Sequence, residues 1–456
     1  MNILKILLSV LSYKLSNIHF VCFYLVFNWF YLPGIVSGQT TEEFAQRRQQ
    51  LTAGLSSDEI ILITAADEIL RNGDVMHKYR QASNFYYLTG YEKPESALLL
   101  SSGKKIYNKE TRSYESEMLF VPSFDAAYEL WSGPRPGPDQ VKTTLKIACT
   151  KPIEQFRTLL KDLLIFNPTF YLDREVLSFE GNIPSLLIPL QQAHNNLISF
   201  SFASLHNRIG KMREIKSVSE ISNLRQAGSI TGNALREAMF HVKHGMYEYE
   251  IEALIEYNFR KQGSLRVGFP LIIASGPNNC FLHYDKNIRQ MENDDLLILD
   301  VGAEWKMYTA DITRTIPVSG KFSFRQKEIY NLVLQAQEES IKTIRPGISR
   351  TTIHTTAVRI VSHGLITLGL ISDTLDYRKY YMHGTSHNLG LDVHDITVSD
   401  TLQAGMVVTV EPGIYIREEN LGIRIEDDIL VTENGYEILS SNIPKTIEEI
   451  EQQMSH

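Results

Sequence analysis

The stretch His383-Gly384-Thr385-Ser386-His387-Asn388-Leu389-Gly390-Leu391-Asp392-Val393-His394-Asp395 decides how this chain is read. A lone histidine usually serves the core or the surface. Three of them in a segment punctuated by Gly384 and Gly390 point to a site, because glycine permits tight turns that let imidazoles converge.

Carboxylates lie on both sides of it. Upstream, Asp300 ends the apolar run Leu296–Leu299, and Asp311 follows Val301–Ala310, a segment short enough for a hairpin with Gly302 near its turn. Paired strands would set the two aspartates side by side. Downstream, Val407–Val410 runs straight into Glu411-Pro412-Gly413, which delivers a carboxylate at a strand end. Glu426 follows Arg424 by two residues, so on a strand they share a face. Taken singly, the aspartates also read as solvated turn residues and Arg424 with Glu426 as a salt bridge. A buried carboxylate, however, is costly unless paired or metal-bound. Together these residues offer oxygen ligands and an imidazole but no thiolate. That set suits a pair of Mn²⁺, Co²⁺ or Zn²⁺ ions better than a structural zinc.

Composition supports this choice of ligands. The three cysteines, Cys22, Cys149 and Cys280, are far apart and form no CxxC, so neither a disulfide framework nor a thiolate zinc site is expected. The net charge of -8 gives no support for nucleic acid as a partner. With 456 residues, the chain has room for two or three domains.

From Thr41 to about Asn207, short apolar runs such as Ile60–Thr64, Ala97–Leu100 and Met118–Val121 alternate with turns, and Lys151–Leu164 reads as a helix. This predicts an α/β domain over 39–210, with a loop at Trp131–Pro138. Near Ser217 the pattern changes. Helices are expected at Ile221–Met239, Tyr247–Gln262, Phe324–Ile344 and Thr351–Leu368. Strands are expected at Leu271–Ile273, Leu296–Leu299, Val407–Val410 and Ile423–Leu430. Helices then strands, twice over, predict an α+β domain of two related halves over 215–445.

Asp300, Tyr308–Thr315, His383–Asp395, Thr409–Gly413 and Gly422–Asp428, in that order, resemble the pita-bread metallopeptidases, and within them aminopeptidase P. Tyr79-Arg80-Gln81-Ala82-Ser83-Asn84-Phe85-Tyr86-Tyr87-Leu88-Thr89-Gly90 resembles that family's N-terminal domain. The resemblance implies a pita-bread catalytic domain and a set of residue roles. Asp300 would hold one metal, His387 and Glu411 the other, and Asp311 and Glu426 both. A water activated between the ions would attack the scissile carbonyl, with Glu411 moving its proton. His283 and His394 would hydrogen-bond the substrate, His383 would line the cleft, and Arg424 would steady ligating carboxylates. It further implies Mn²⁺, peptide substrates with proline second, and a homo-oligomer, dimer or tetramer. Arg135 in the Gly/Pro loop reads either as a substrate contact, across a subunit interface, or as a solvated residue. The nearest rival is a prolidase, restricted to Xaa-Pro dipeptides. A methionine aminopeptidase would not need the N-terminal domain, and non-catalytic or creatinase-like members lack the full ligand set.

Residues 1–38 stand apart. Ile18–Leu32 is almost wholly apolar and aromatic, with Asn28 interrupting it. Three readings stay open: an export signal ending near Ser37-Gly38, a membrane anchor, or untranslated sequence ahead of a misread start at Val36. The last makes the enzyme cytoplasmic; the first two make it exported or anchored.

Overall fold

The computed structural model describes residues 39–173, 184–195 and 200–455. The readings offered for 1–38 lie outside these residues. The part from Gln39 onward forms one unit.

Its N-terminal portion is built on a six-stranded mixed sheet. The strands are β1 (Glu59–Thr64), β2 (Ala97–Ser101), β3 (Glu117–Val121), β4 (Thr150–Pro152), β5 (Thr169–Leu172) and β6 (Ser201–Ser204), in the order β6-β5-β1-β2-β3-β4. The central β1 and β2 pair antiparallel, Ile61 opposite Leu100 and Ile63 opposite Leu98, and both are apolar because helices cover both faces. Helices α1 (Thr41–Thr52) and α2 (Ser83–Thr89) pack on one face, while α3 (Phe156–Leu164) lies on the other.

Two local expectations are corrected here. The helix expected over Lys151–Leu164 starts only at Phe156, after a strand through Pro152 and a single tight turn. Proline has no N–H to donate and pushes the residue before it into extended backbone. The loop expected at Trp131–Pro138 is shorter. A helix capped by Asp125 takes in Trp131 and Ser132, and Pro138 opens the next helix at its first position, where the missing donor does no harm.

A linking helix, α4 (His206–Glu214), leads into the catalytic portion. There α5 (Val218–His241) opens on a reciprocal cap between Ser217 and Glu220, and α6 (Glu248–Lys261) follows. These helices back the antiparallel strands β7 (Ile272–Ser275), β8 (Leu296–Val301) and β9 (Ile312–Pro317). The second half repeats the scheme. Helices α7 (Phe324–Lys342) and α8 (Arg350–Thr367) precede β10 (Val407–Val410), β11 (Gly413–Ile416), β12 (Leu421–Arg424), β13 (Asp427–Thr432) and β14 (Gly435–Ile438). The α+β reading holds, but the single strand expected at Ile423–Leu430 is two. The backbone leaves the ladder at Ile425-Glu426, where the Glu426 amide bonds to the Thr313 carbonyl of β9 instead (3.1 Å). That detour joins the sheets of the two halves and turns Glu426 inward.

Candidate active site

In the first half, register places the acids. Asp300 near the end of β8 sits opposite Thr313 of β9 and Ile272 of β7. The hairpin that returns the chain to Asp311 turns at Lys306-Met307, both with positive φ, and not at Gly302. At Gly302 the requirement is close approach. A Cβ there would overlap the Ala310 carbonyl, so its absence lets the two arms close just before Asp311.

The histidine segment is tied to β10. The His387 carbonyl accepts from the Thr409 amide (3.0 Å), and the Thr385 carbonyl from the Glu411 amide (2.9 Å). Glu411 thereby leaves β10 facing His387. Neither Gly384 nor Gly390 adopts left-handed backbone. Gly390 provides space instead, since a Cβ would meet the Asp395 carboxylate.

The side chains converge on one cleft of ≈ 560 Å³. Its floor carries Asp300, Asp311, His387, Glu411 and Glu426, and His283, His383, His394 and Arg424 also line it. Every site residue expected from the sequence is therefore brought together, apart from Arg135. That residue is engaged elsewhere, with Glu95 (2.5 Å) and over the Tyr128 ring (4.2 Å).

Hydrogen bonds orient two of the imidazoles, His387 and His383. The Nδ1 of His387 donates to the Asn388 carbonyl (3.0 Å), so Nε2 faces the acids, 3.4 Å from Asp311 and 3.3 Å from Glu411. Burial would lower its pKa, but the bonds to Asp311 and Glu411 outweigh burial and hold it well above the ordinary imidazole value. Glu411 shows the converse: burial would raise it, and His387 pulls it below the usual carboxylate value. Burial keeps His383 low. Its Nδ1 donates to the Gly384 carbonyl (2.7 Å), and its Nε2 meets the Tyr415 hydroxyl at 2.9 Å. Burial and the neighbouring His387 lower His394, whose ring stands edge-on to His387 with centroids 4.4 Å apart.

The remaining acids crowd one another. Burial, with Asp300 and Glu411 nearby, pushes Asp311 up to about 7 despite the bond from His387. Burial and Asp311 drive Glu426 well above its ordinary value, and Asp428 behind it likewise. The Asp300 Oδ1 is buried with no hydrogen-bond partner. Ligand atoms of Asp311, His387 and Glu426 lie within 4.8 Å of one another. Crowded buried carboxylates, an orphaned oxygen and an imidazole nitrogen aimed among them form a donor set that fits divalent cations, with the His387 proton holding the place of a positive charge.

Several supporting residues escaped the sequence reading. Thr313 donates to Glu426 (2.6 Å) and accepts from Arg424 (3.3 Å), and Tyr415 receives the other Arg424 branch (2.9 Å). Thr409 reaches both the His387 amide and Glu411. Strand alternation could have found Thr313 and Tyr415, each two residues from a singled-out position (Asp311, Gly413). Nothing local marks Thr385, which bridges the Tyr381 hydroxyl and His354 on α8.

Residues 222–433 match the model of metallopeptidase family M24, and 44–171 that of the aminopeptidase P N-terminal domain. The chain is 36% identical to the Xaa-Pro aminopeptidase of Haemophilus influenzae over 91% of its length and 97% of the relative's. It is 33% identical to mouse Xaa-Pro aminopeptidase 3, over 92% of its own length and 87% of that protein. The solved aminopeptidase P of E. coli with the inhibitor Pro-Leu superposes with a TM-score of 0.82 at 36% identity, covering 92% of this chain and 99% of that one. With that ligand-bearing cleft on that pair of domains, the chain belongs to metallopeptidase family M24, in its aminopeptidase P branch, and is a hydrolase.

Proposed function

We propose that this hydrolase releases the first residue of peptides whose second residue is proline, using two divalent cations, Mn²⁺ in preference to Co²⁺ or Zn²⁺. The observation that carries the reading is the contrast within one cleft. Its acidic floor lies under an apolar wall of Phe269, Pro270, Ile272, Leu282 and Val393. Such a wall suits a pyrrolidine ring, and the names of the relatives support the same substrate class. The X–Pro bond is a tertiary amide with no N–H, so a site that recognises it must use ring shape where others use a hydrogen bond.

Asp300 would hold one cation, His387 and Glu411 would hold the second, and Asp311 and Glu426 would serve both. When bound, the cations acidify water and polarise the scissile carbonyl. Glu411 takes the proton of the attacking water and delivers it to the leaving proline nitrogen. His394 and His283 hydrogen-bond the carbonyl oxygen as charge grows on it. His383, whose pKa burial lowers although its bond to the Gly384 carbonyl works the other way, lines the cleft beside Glu411 (3.8 Å) with Nε2 against the Tyr415 hydroxyl. Arg424 anchors Asp300 (2.6 Å) so that its carboxylate stays oriented.

Residues 39–210 form the N-terminal domain of this enzyme and 215–445 the catalytic domain. Exposed Leu130 and Trp131 (82% and 87%) favour a homo-oligomer with an interface there. Free, buried Cys149 and Cys280 favour the reducing cytoplasm. Among the described residues no helix is long and apolar enough to cross a membrane. The test is hydrolysis of an Xaa-Pro-Xaa tripeptide and an Xaa-Pro dipeptide by chelator-stripped protein, with and without Mn²⁺. Metal-restored release from the tripeptide supports the reading. Cleavage of the dipeptide alone makes the enzyme a prolidase.

A further inference from the structure

The N-terminal domain grips the loop that carries His394. Arg80 donates through Nη2 to the Leu391 carbonyl (2.6 Å), through Nη1 to Ser83 Oγ (3.2 Å), and through Nε to Glu304 (2.6 Å). Ser83 Oγ in turn donates to Asp392 Oδ1 (2.5 Å). On the other side of the histidine, the linking helix supplies Arg213, which pairs with Asp392 (2.8 Å) and Asp395, and Lys216 follows with Asp395 (3.2 Å). Asp392 and Asp395 are thus held from outside, and Val393 and His394, the residues between them, are the two that line the cleft. His394 itself is exposed toward the cleft, and its ring meets His387 edge-on. Its orientation therefore depends on how the flanking residues are fixed.

We propose that Arg80 and Ser83 are positioning residues for hydrolysis: they hold the Leu391–Asp395 loop so that His394 points at the substrate. The inference rests on the reading of His394 as a substrate-binding group. It gives the N-terminal domain a part in turnover without any contact to substrate. A guanidinium is needed because only its fork reaches Glu304, Ser83 and the Leu391 carbonyl together; an ammonium keeps the charge and loses the fork. Misplacement of a reacting geometry by about an ångström costs on the order of a hundredfold in rate.

The experiment is a double-mutant cycle in the full chain loaded with Mn²⁺, using Arg80→Lys, the milder Ser83→Ala, and each combined with His394→Ala. Arg80→Lys is expected to lower kcat for an Xaa-Pro-Xaa tripeptide by about tenfold or more with metal content unchanged. In the His394→Ala background the same change should cost less than about twofold, because residues acting through one group are not additive. Equal losses in both backgrounds, or an unchanged kcat in both Arg80→Lys and Ser83→Ala, overturn the proposal and leave the reading of the site intact. Full turnover by His394→Ala alone overturns both.

Discussion

Replacing Arg424 by glutamine should perturb the proposed metal site without touching a proposed ligand. The guanidinium is 4% exposed and makes three bonds, to Asp300 Oδ2 (2.6 Å), the Tyr415 hydroxyl (2.9 Å) and Thr313 Oγ1 (3.3 Å). Glutamine is too short to replace them. A hydrogen bond to a charged group is worth about 1.5–3 kcal/mol, and here its loss leaves Asp300 with neither oxygen bound by protein. Removing the outer partner of a metal ligand typically weakens metal affinity by about 10–100-fold, or about 1.4–2.7 kcal/mol. The two magnitudes agree, which is expected if the main role of Arg424 is to hold Asp300. The assay is calorimetric titration of Mn²⁺ into chelator-stripped protein, with thermal unfolding of the loaded and stripped forms beside it. Because a ligand stabilises by RT ln(1 + [L]/Kd), the gap in stability between the forms should shrink by the same ~1.4–2.7 kcal/mol. A titration that superimposes on wild type would refute the reasoning, whatever happens to turnover.

Asp311→Ala or Glu426→Ala should abolish tripeptide hydrolysis, since each removes a ligand proposed to serve both cations; wild-type turnover in either would show the ligand assignment to be wrong. His394→Ala should lower kcat by about a hundredfold with metal retained, the size seen when one donor to a developing oxyanion is lost; elemental analysis beside the kinetics separates this from metal loss. Arg314→Met should destabilise the fold by about 3–5 kcal/mol in denaturant titrations, because it strands the fully buried Asp427, now 2.7 Å from the guanidinium, with only Lys445 (2.8 Å) as counter-charge. Acid should expose the same group: burial works against the charged form, but Arg314 and Lys445 outweigh it and hold Asp427 well below the usual carboxylate value. Its stabilisation is then complete above the unfolded pKa of about 4 and is lost as pH falls through the depressed folded value, so Asp427→Asn should flatten the drop in urea midpoint between neutral and acid pH.

Much of the site was legible because its residues break local rules. Asp300 stands at the end of an apolar strand, Glu411 leaves another, and three histidines share a short loop. Each conflicts with burial, and the proposed shared cations would resolve all of them at once. What stayed hidden depends on contacts distant in sequence. Gly302 looked like a turn residue; whether it turns or yields space depends on how closely Ala310 approaches, which only the folded hairpin decides. Glu426 looked like part of one continuous strand, since nothing near it reveals that its amide is claimed by Thr313, more than a hundred residues earlier. Arg80 and Ser83 were visible as a family motif, but their partners Leu391 and Asp392 lie some three hundred residues on. Periodicity reports which face is buried, and says nothing of what lies across it. The same limit explains why the proposed ligands were easier to read than the residues around them: a buried carboxylate is conspicuous by its own cost of burial, whereas Thr313, Tyr415 and Ser83 are ordinary until the charge they serve is placed beside them.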